Sequence, residues 1–243
     1  MHERKTGGAV WVWVVLALFL LAMGYLGWLV ERSNQASESL YQIDEPLGGA
    51  TSAEVILRSG IGELHIGAGE TDGPLLSGEV NLIPGEELEI SRNEEGGKVQ
   101  LALAPAGTAA RSMTSEQEFW DLTLSPQIPI ELRVESGIGK AELDLSGLWL
   151  ERLTYQGRVG SASITLPSEG SFVGRIESGE GEITLLIPEG VAVQVETERG
   201  LGTVEANGLE RVGRGTYQTP GFRDGSQVSV ASGVGDIHIS VLE

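Results

Sequence analysis

The feature that most limits how this chain can fold is a glycine pair that returns six times. It reads "RSGIGELHI" from Arg58, "ESGIGKAELDL" from Glu135, "QGRVGSASITL" from Gln156, "ESGEGEITLLI" from Glu177, "ERGLGTVEA" from Glu198 and "ASGVGDIHI" from Ala231. Taking the second glycine of each as a ruler gives Gly62, Gly139, Gly160, Gly181, Gly202 and Gly235, spaced by 77, 21, 21, 21 and 33 residues. Three equal steps of this size mark a repeat architecture. The first glycine of the pair is Gly60, Gly137, Gly179, Gly200 or Gly233, and Arg158 stands in its place in the third unit.

Apolar residues alternate on both sides of the ruler. Two, four and sometimes six positions after it come Leu64 and Ile66; Ala141, Leu143 and Leu145; Ala162, Ile164 and Leu166; Ile183, Leu185 and Ile187; Val204 and Ala206; Ile237, Ile239 and Val241. Seven and five positions before it the same holds, as with Val55 and Leu57, Leu132 and Val134, Val228 and Val230. Period two means a strand with one buried face. Each unit is therefore strand, glycine corner, strand, then a turn such as "LPSEG" at Leu166 or "IPEG" at Ile187, where Pro and Gly suit chain reversal. The expected fold is all-β and β-solenoid-like, with two strands per unit of about 21 residues. A lone unit cannot bury its apolar face, but stacked units share one core. The corner glycines serve backbone conformation, through positive φ or close stacking between turns.

Two intervals exceed the period. Between Gly62 and Gly139, "LLSGEVNLIP", "ELEIS" and "KVQLALAP" read as extra strands, and Ala106 to Phe119 as a mobile loop before the strand pattern resumes at Trp120. The interval before Gly235 holds an insertion from Gly213 to Ser226.

No helical period occurs after Val30. Before it, Gly7 to Val30 carries no charge across 24 residues, enough to cross a bilayer as one transmembrane helix. Trp11 and Trp13 near one end, and Tyr25 and Trp28 near the other, suit the two membrane interfaces. Arg4 and Lys5 precede the span, so the N-terminus is expected in the cytoplasm and the remainder outside. The uncharged run is longer than a signal-peptide core and no A-x-A site follows it. The expected organisation is a cytoplasmic N-terminus at 1–6, a membrane helix at 7–30, a polar stalk at 31–46 and an all-β domain at 47–243. The expected location is the cell membrane, single-pass, with the domain extracytoplasmic.

Composition and motifs then remove function classes. A formal charge of −19, from 16 basic against 35 acidic residues, repels phosphate backbones and excludes nucleic acid as a partner. The chain has no cysteine, so there are no disulfides, thiolate ligands or cysteine nucleophile. The glycine pairs lead into strands, whereas a dinucleotide loop needs G-x-G-x-x-G before a helix and a P-loop needs Gly-Lys-Ser/Thr. His65 and His238 both lie three residues after a ruler glycine, on outward strand positions of units far apart in the sequence, and two histidines make no metal site on their own. There is no G-x-S-x-G nucleophile turn. The chain is expected not to be an enzyme and to need neither cofactor nor metal.

The stretch "WDLTLSPQIPIELRVESGIGKAELDLSGLWLERLTYQGRVGSASITLP" from Trp120, with Trp120, Pro129, the "DLSGL" at Asp144 and the glycine pairs, resembles the toast-rack domain of LiaF-like cell-wall-active antibiotic response proteins and related adhesin domains of unknown function. The earlier "PLGGATSAEVILRSGIGELHI" from Pro46 resembles that family's N-terminal segment. The resemblance implies an all-β, solenoid-like fold and a bacterial envelope setting, and it carries no catalytic residues. LiaF-like proteins usually have several membrane helices before the domain, whereas this chain has one hydrophobic span. On these grounds the chain is expected to be a membrane-anchored binding or scaffold protein in envelope-stress sensing. The alternative is a structural or adhesive surface module without a signalling role, and an enzyme acting on envelope polysaccharide is a distant third. Its partner would be the membrane together with another envelope or membrane protein, or an envelope polymer, and a homo-oligomer is compatible with the sequence. The loops at Ala106–Phe119 and Gly213–Ser226 are the expected recognition surfaces.

Overall fold

The structure, a computed structural model, describes residues 40–106 and 117–242. The span Gly7–Val30 and its anchors Arg4, Lys5, Trp11, Trp13, Tyr25 and Trp28 lie outside the described residues. Among the described residues every regular element is a strand and there is no helix.

The sixteen strands run β1 Leu40–Glu45, β2 Ser52–Ala68, β3 Leu76–Asn81, β4 Glu87–Glu95, β5 Lys98–Ala106, β6 Glu118–Leu124, β7 Ile130–Asp144 and β8 Leu150–Thr165. There follow β9 Val173–Glu180, β10 Ile183–Ile187, β11 Val193–Leu201, β12 Val204–Asn207, β13 Glu210–Gly213, β14 Thr216–Gln218, β15 Ser226–Val234 and β16 Ile237–Val241. β2, β7 and β8 each run unbroken through their glycine corner, so one strand supplies both legs of a coil. In the later units the corner divides the legs, giving the pairs β9/β10, β11/β12 and β15/β16.

Equivalent residues of successive coils stack in parallel register: Leu57 beside Val134, Val134 beside Tyr155, and Gly62 beside Gly139 and Gly139 beside Gly160. The inward phase slips by one residue at each corner. Leu57 and Leu64 are both buried, as are Val134 and Ala141, Tyr155 and Ala162, Ile176 and Ile183, and Val230 and Ile237. These pairs are seven apart, an odd step that a straight strand would send to opposite faces. The ruler glycine supplies the slip. Both legs thus turn their apolar faces into one core, which runs from Ile43 through Trp120 to Ile239. Each fully buried Leu or Ile contributes about 2 kcal/mol by removing apolar area from water.

Three details differ from the sequence expectation. First, the chain does not stack in sequence order. β15/β16 lies between β9/β10 and β11/β12, so the last unit of the sequence is the penultimate coil. The extra residues before it form the antiparallel β13–β14 hairpin along β11. That hairpin occupies one edge of β11, and the returning chain pairs on the other.

Second, Glu118 and Phe119 belong to strand β6 and not to a loop; residues 107–116 lie outside the described residues. β5 pairs with the first leg of β2 and β6 with its second leg, both parallel. Together they occupy the place of another coil, with Glu118 in register with Gly62.

Third, Leu40–Glu45 within the expected stalk is β1, paired antiparallel with β3. Ile43 is buried there, which supplies the apolar contact that holds this strand to the sheet.

Candidate interaction surface at the coil corners

The ruler glycines form a ladder. Gly62, Gly139, Gly160, Gly181, Gly202 and Gly235 all have φ between +130° and +155°, a region L side chains rarely enter. A Cβ added at Gly139 would come well under 3.0 Å from the carbonyl oxygen of Gly62, and one at Gly160 as close to that of Gly139. The relation continues through Gly181, Gly235 and Gly202, the spatial order of the coils. Positive φ and close stacking therefore act at the same residue. The first glycines, Gly60, Gly137, Gly179, Gly233 and Gly200, also lie against neighbouring backbone or Glu118, but Arg158 is accommodated at the equivalent position and none of the five has positive φ.

Between each pair of glycines the chain projects one side chain outward. Ile61, Ile138, Val159, Glu180, Val234 and Leu201 stand in register across six coils. Ile138 is 49% exposed, Val159 43%, Val234 46% and Leu201 71%. The result is a narrow apolar ridge along the corner edge, interrupted once by Glu180. A groove of about 490 Å3 runs beside Ile61, Ile138 and Val159, with Ala104 and Pro105 on its wall. Charged residues of both signs border the ridge, among them Lys140, Arg158 and Arg199. Glu135, Glu177 and Glu198 lie on the first legs, and Glu63, Glu182 and Asp236 follow the ruler glycines. Asp236 accepts hydrogen bonds from the Thr203 hydroxyl at 2.8 Å and amide at 2.7 Å. These bonds, the hydroxyl first, hold its carboxyl below the usual carboxylate range.

The two ends of the ladder are finished differently. At the β6 end the buried Glu118 side chain replaces the missing glycine. Its Oε2 accepts from Gly60 N and Trp120 Nε1, each at 2.9 Å, and its Oε1 from Ile61 N at 3.1 Å. A carboxylate thus satisfies corner amides that no further glycine carbonyl reaches. Beyond it, β4 covers β5, and β3 with β1 covers β6. At the β11/β12 end the β13–β14 hairpin covers only the first leg. β12 pairs with β16 alone, and Val204 and Ala206 are half-buried where Leu64 and Ile66 are buried.

His65 and His238 stand on outward positions of different coils, as the sequence suggests, with β7, β8 and β10 between their strands. His65 lies edge-on to the Phe119 ring at 5.4 Å and 3.5 Å from Glu142. His238 is 3.3 Å from Glu205 and 3.9 Å from Glu182. No group of three or more metal-ligating residues occurs among the described residues. Of the expected recognition loops, Gly213–Ser226 includes β14 and Ala106–Phe119 supplies Glu118.

Sequence reasoning missed the ridge and Glu118. The first was signalled by Ile, Ile, Val, Val and Leu recurring inside the glycine pair. The second was signalled by the alternation of Glu118 with Trp120, Leu122 and Leu124.

The fold has a counterpart among solved structures. A crystal structure of a "putative cell adhesion protein" from Clostridium sporogenes superposes with a TM-score of 0.75 at 25% identity, over 84% of this chain and 99% of that one. A "putative adhesin" from Bacteroides fragilis matches 84% of this chain and 98% of its own at 13% identity, with a TM-score of 0.31. No curated protein matches the chain. The family model for the N-terminal domain of toast_rack (DUF2154) matches residues 31–186, which span β1 to all but the last residue of β10, and the chain belongs to the toast-rack family.

Proposed function

We propose that this chain is an adhesive surface module. It is held at the outer face of the cell membrane by the uncharged segment Gly7–Val30, and it binds another envelope protein through the corner ridge. The observation that carries this reading is the in-register line of the half-buried Ile61 and the exposed Ile138, Val159, Val234 and Leu201; the other exposed hydrophobics, such as Trp149 and Val173, do not belong to this corner register. Soluble domains rarely present ordered apolar lines without an occupant. Glu180 stands inside the line, and the borders carry both signs, with Glu135 and Glu177 already paired to Arg58, Arg133 and Arg175, so the apolar line and not net charge would set the partner's complementary surface. The similar Clostridium protein is described as a cell adhesion protein, which supports the adhesive reading over a purely sensory one. Among the described residues there is no constellation of reactive groups, and the reading assigns no catalysis.

Cells carrying the full chain with Ile138→Glu and Val159→Glu test it. Both side chains are about half exposed, so the fold should survive. Cell–cell or cell–surface adherence should fall to that of a deletion strain at unchanged protein level. Adherence that follows the deletion but ignores the ridge substitutions sinks the ridge. Adherence indifferent to deletion, together with an altered envelope-stress reporter, replaces adhesion with the sensing role. A reporter fused after Glu243 that works only in the cytoplasm overturns the outward placement.

A further inference from the structure

The distribution of unpaired arginines points to a second site, independent of the ridge. Twelve Lys and Arg residues fall within the described chain. Seven are ion-paired with glutamates: Arg58, Arg92, Lys98, Arg133, Lys140, Arg152 and Arg175. The five outside any ion pair are Arg158, Arg199, Arg211, Arg214 and Arg223, so four of them fall in one short stretch at the open end of the stack. In a chain with 35 acidic residues against 16 basic, a cluster of cations that makes no direct ion pair, with Asp236 acting on Arg199 only at longer range, is a feature the fold could have neutralised and did not.

Three of the four share one recess. The β13–β14 hairpin follows β11 as far as Thr197, whose amide donates to Gly215 O at 2.7 Å. The corner residues beyond it and the open edge of β12 are left uncovered. The hollow between them measures about 600 Å3, with Arg199, Arg211 and Arg214 on its walls beside Tyr217, Val204 and one carboxylate, Glu198. Arg199 donates to the Gly202 carbonyl and Arg211 to the Gly213 carbonyl. Each of these bonds uses one nitrogen of a five-donor fork, so donors remain for a ligand. Planar guanidinium groups bind phosphate and carboxylate oxygens in pairs, and Tyr217 and Val204 add a small apolar wall of the kind that packs against a sugar or alkyl carrier.

We propose that this recess is an oxyanion-binding site, taking a phosphate or carboxylate group carried by a cell-surface glycan. The strongly negative remainder of the domain repels an extended polyanion, so the site suits a single charged group or a chain end.

The test uses the full chain in zwitterionic nanodiscs and equilibrium dialysis against labelled inorganic phosphate, galacturonate and a hexaglutamate peptide, with galactose as the neutral control. Wild-type protein should retain phosphate or galacturonate and not galactose, and retention should fall with added NaCl. The R211A/R214A double variant should bind at least about tenfold more weakly, since charge-assisted hydrogen bonds are lost. Arg158→Ala, a cation outside the recess, should bind as wild type. Retention of phosphate alone identifies a phosphorylated carrier, and of galacturonate alone a carboxylated sugar. Three outcomes overturn the proposal: retention of neither small anion, an equal loss in Arg158→Ala, or retention only of hexaglutamate, which would make the site a dock for an acidic protein segment. Because the arginines are exposed, unchanged thermal unfolding of R211A/R214A separates a binding loss from a folding loss.

Discussion

The two ends of the coil stack solve the same problem in opposite ways. At the β5/β6 end the last glycine corner meets a buried carboxylate, the second leg is covered by β3 and β1, and Leu64 and Ile66 are shut away from water. At the β11/β12 end the second leg has no strand beyond it among the described residues, Val204 and Ala206 are half-buried, and three arginines without an ion pair, two of them hydrogen-bonded to backbone carbonyls, line the opening. A stack of coils needs both ends finished, because an open sheet edge invites further strands. One end here is finished by structure. The other is held back from neighbours by charge and by a hairpin over half its width, and that leaves room for recognition.

The largest expected effect comes from the interior that both ends protect. Gly139→Val places a branched side chain against the Gly62 carbonyl at positive φ and should cost on the order of 4 kcal/mol or more, enough to prevent folding. By contrast Gly170→Ala, also at positive φ but with open space around it, should cost only about 1 kcal/mol. Equal losses in urea unfolding would refute the stacking role of the ladder.

Next comes the sealed end. Glu118→Ala leaves Gly60 N, Ile61 N and Trp120 Nε1 without their acceptor, at about 1–3 kcal/mol for each group left dry. Water entering the gap will keep the sum near 3 kcal/mol. Glu118→Gln should recover only part of this, because its single carbonyl serves one side and its amide faces a donor on the other. Full recovery in thermal unfolding would mean that the carboxylate is not needed.

Truncating equivalent positions compares the ends directly. Leu64→Ala removes a side chain 1% exposed and should cost about 2–5 kcal/mol, while Val204→Ala at the open end should cost about 1 kcal/mol or less. Parity between them would show that the open end is covered in solution.

The smallest effect is one of pH. The Lys98 hydrogen bond holds the Glu131 carboxyl below its ordinary value. A depressed carboxyl contributes stability above its unfolded pKa and loses it as pH falls through the folded one. Glu131→Gln should therefore lower stability at neutral pH and change nothing in acid well below the usual carboxylate range. Because the pair is about one-third exposed, solvent screening limits the difference to a few tenths of a kcal/mol. A variant deficit that persists in acid would assign the loss to packing instead of charge.

Much of the fold was legible because its apolar period is short and strict. Residues such as Leu132, Val134, Ala141 and Leu143 take the buried positions that alternation assigns them. What periodicity does not encode is pairing across long separations. Gly181 and Gly202 stand 21 residues apart like true neighbours, yet Gly235 lies between them, because the choice depends on which edge of β11 the hairpin leaves free. Glu118 was hidden for another reason: an acidic residue at an inward position reads as the end of a strand until its donors are known. The arginine recess was illegible because Arg199, Arg211 and Arg214 are brought together only by the partial cover of β11.

The inserted coil sets a timetable for the molecule. β15/β16 is the joint between two coils that precede it in the sequence, and it is synthesised after both. Until Val241 is available, β9/β10 and β11/β12 have no shared edge, and the core facing Val228, Val230, Ile237 and Ile239 stays open. The β15/β16 strands therefore act as a keystone. Without them the parallel edges of β9/β10 and β11/β12 stay unpaired in mid-stack, so a folded stack is assembled only once residues 226–241 have been threaded home.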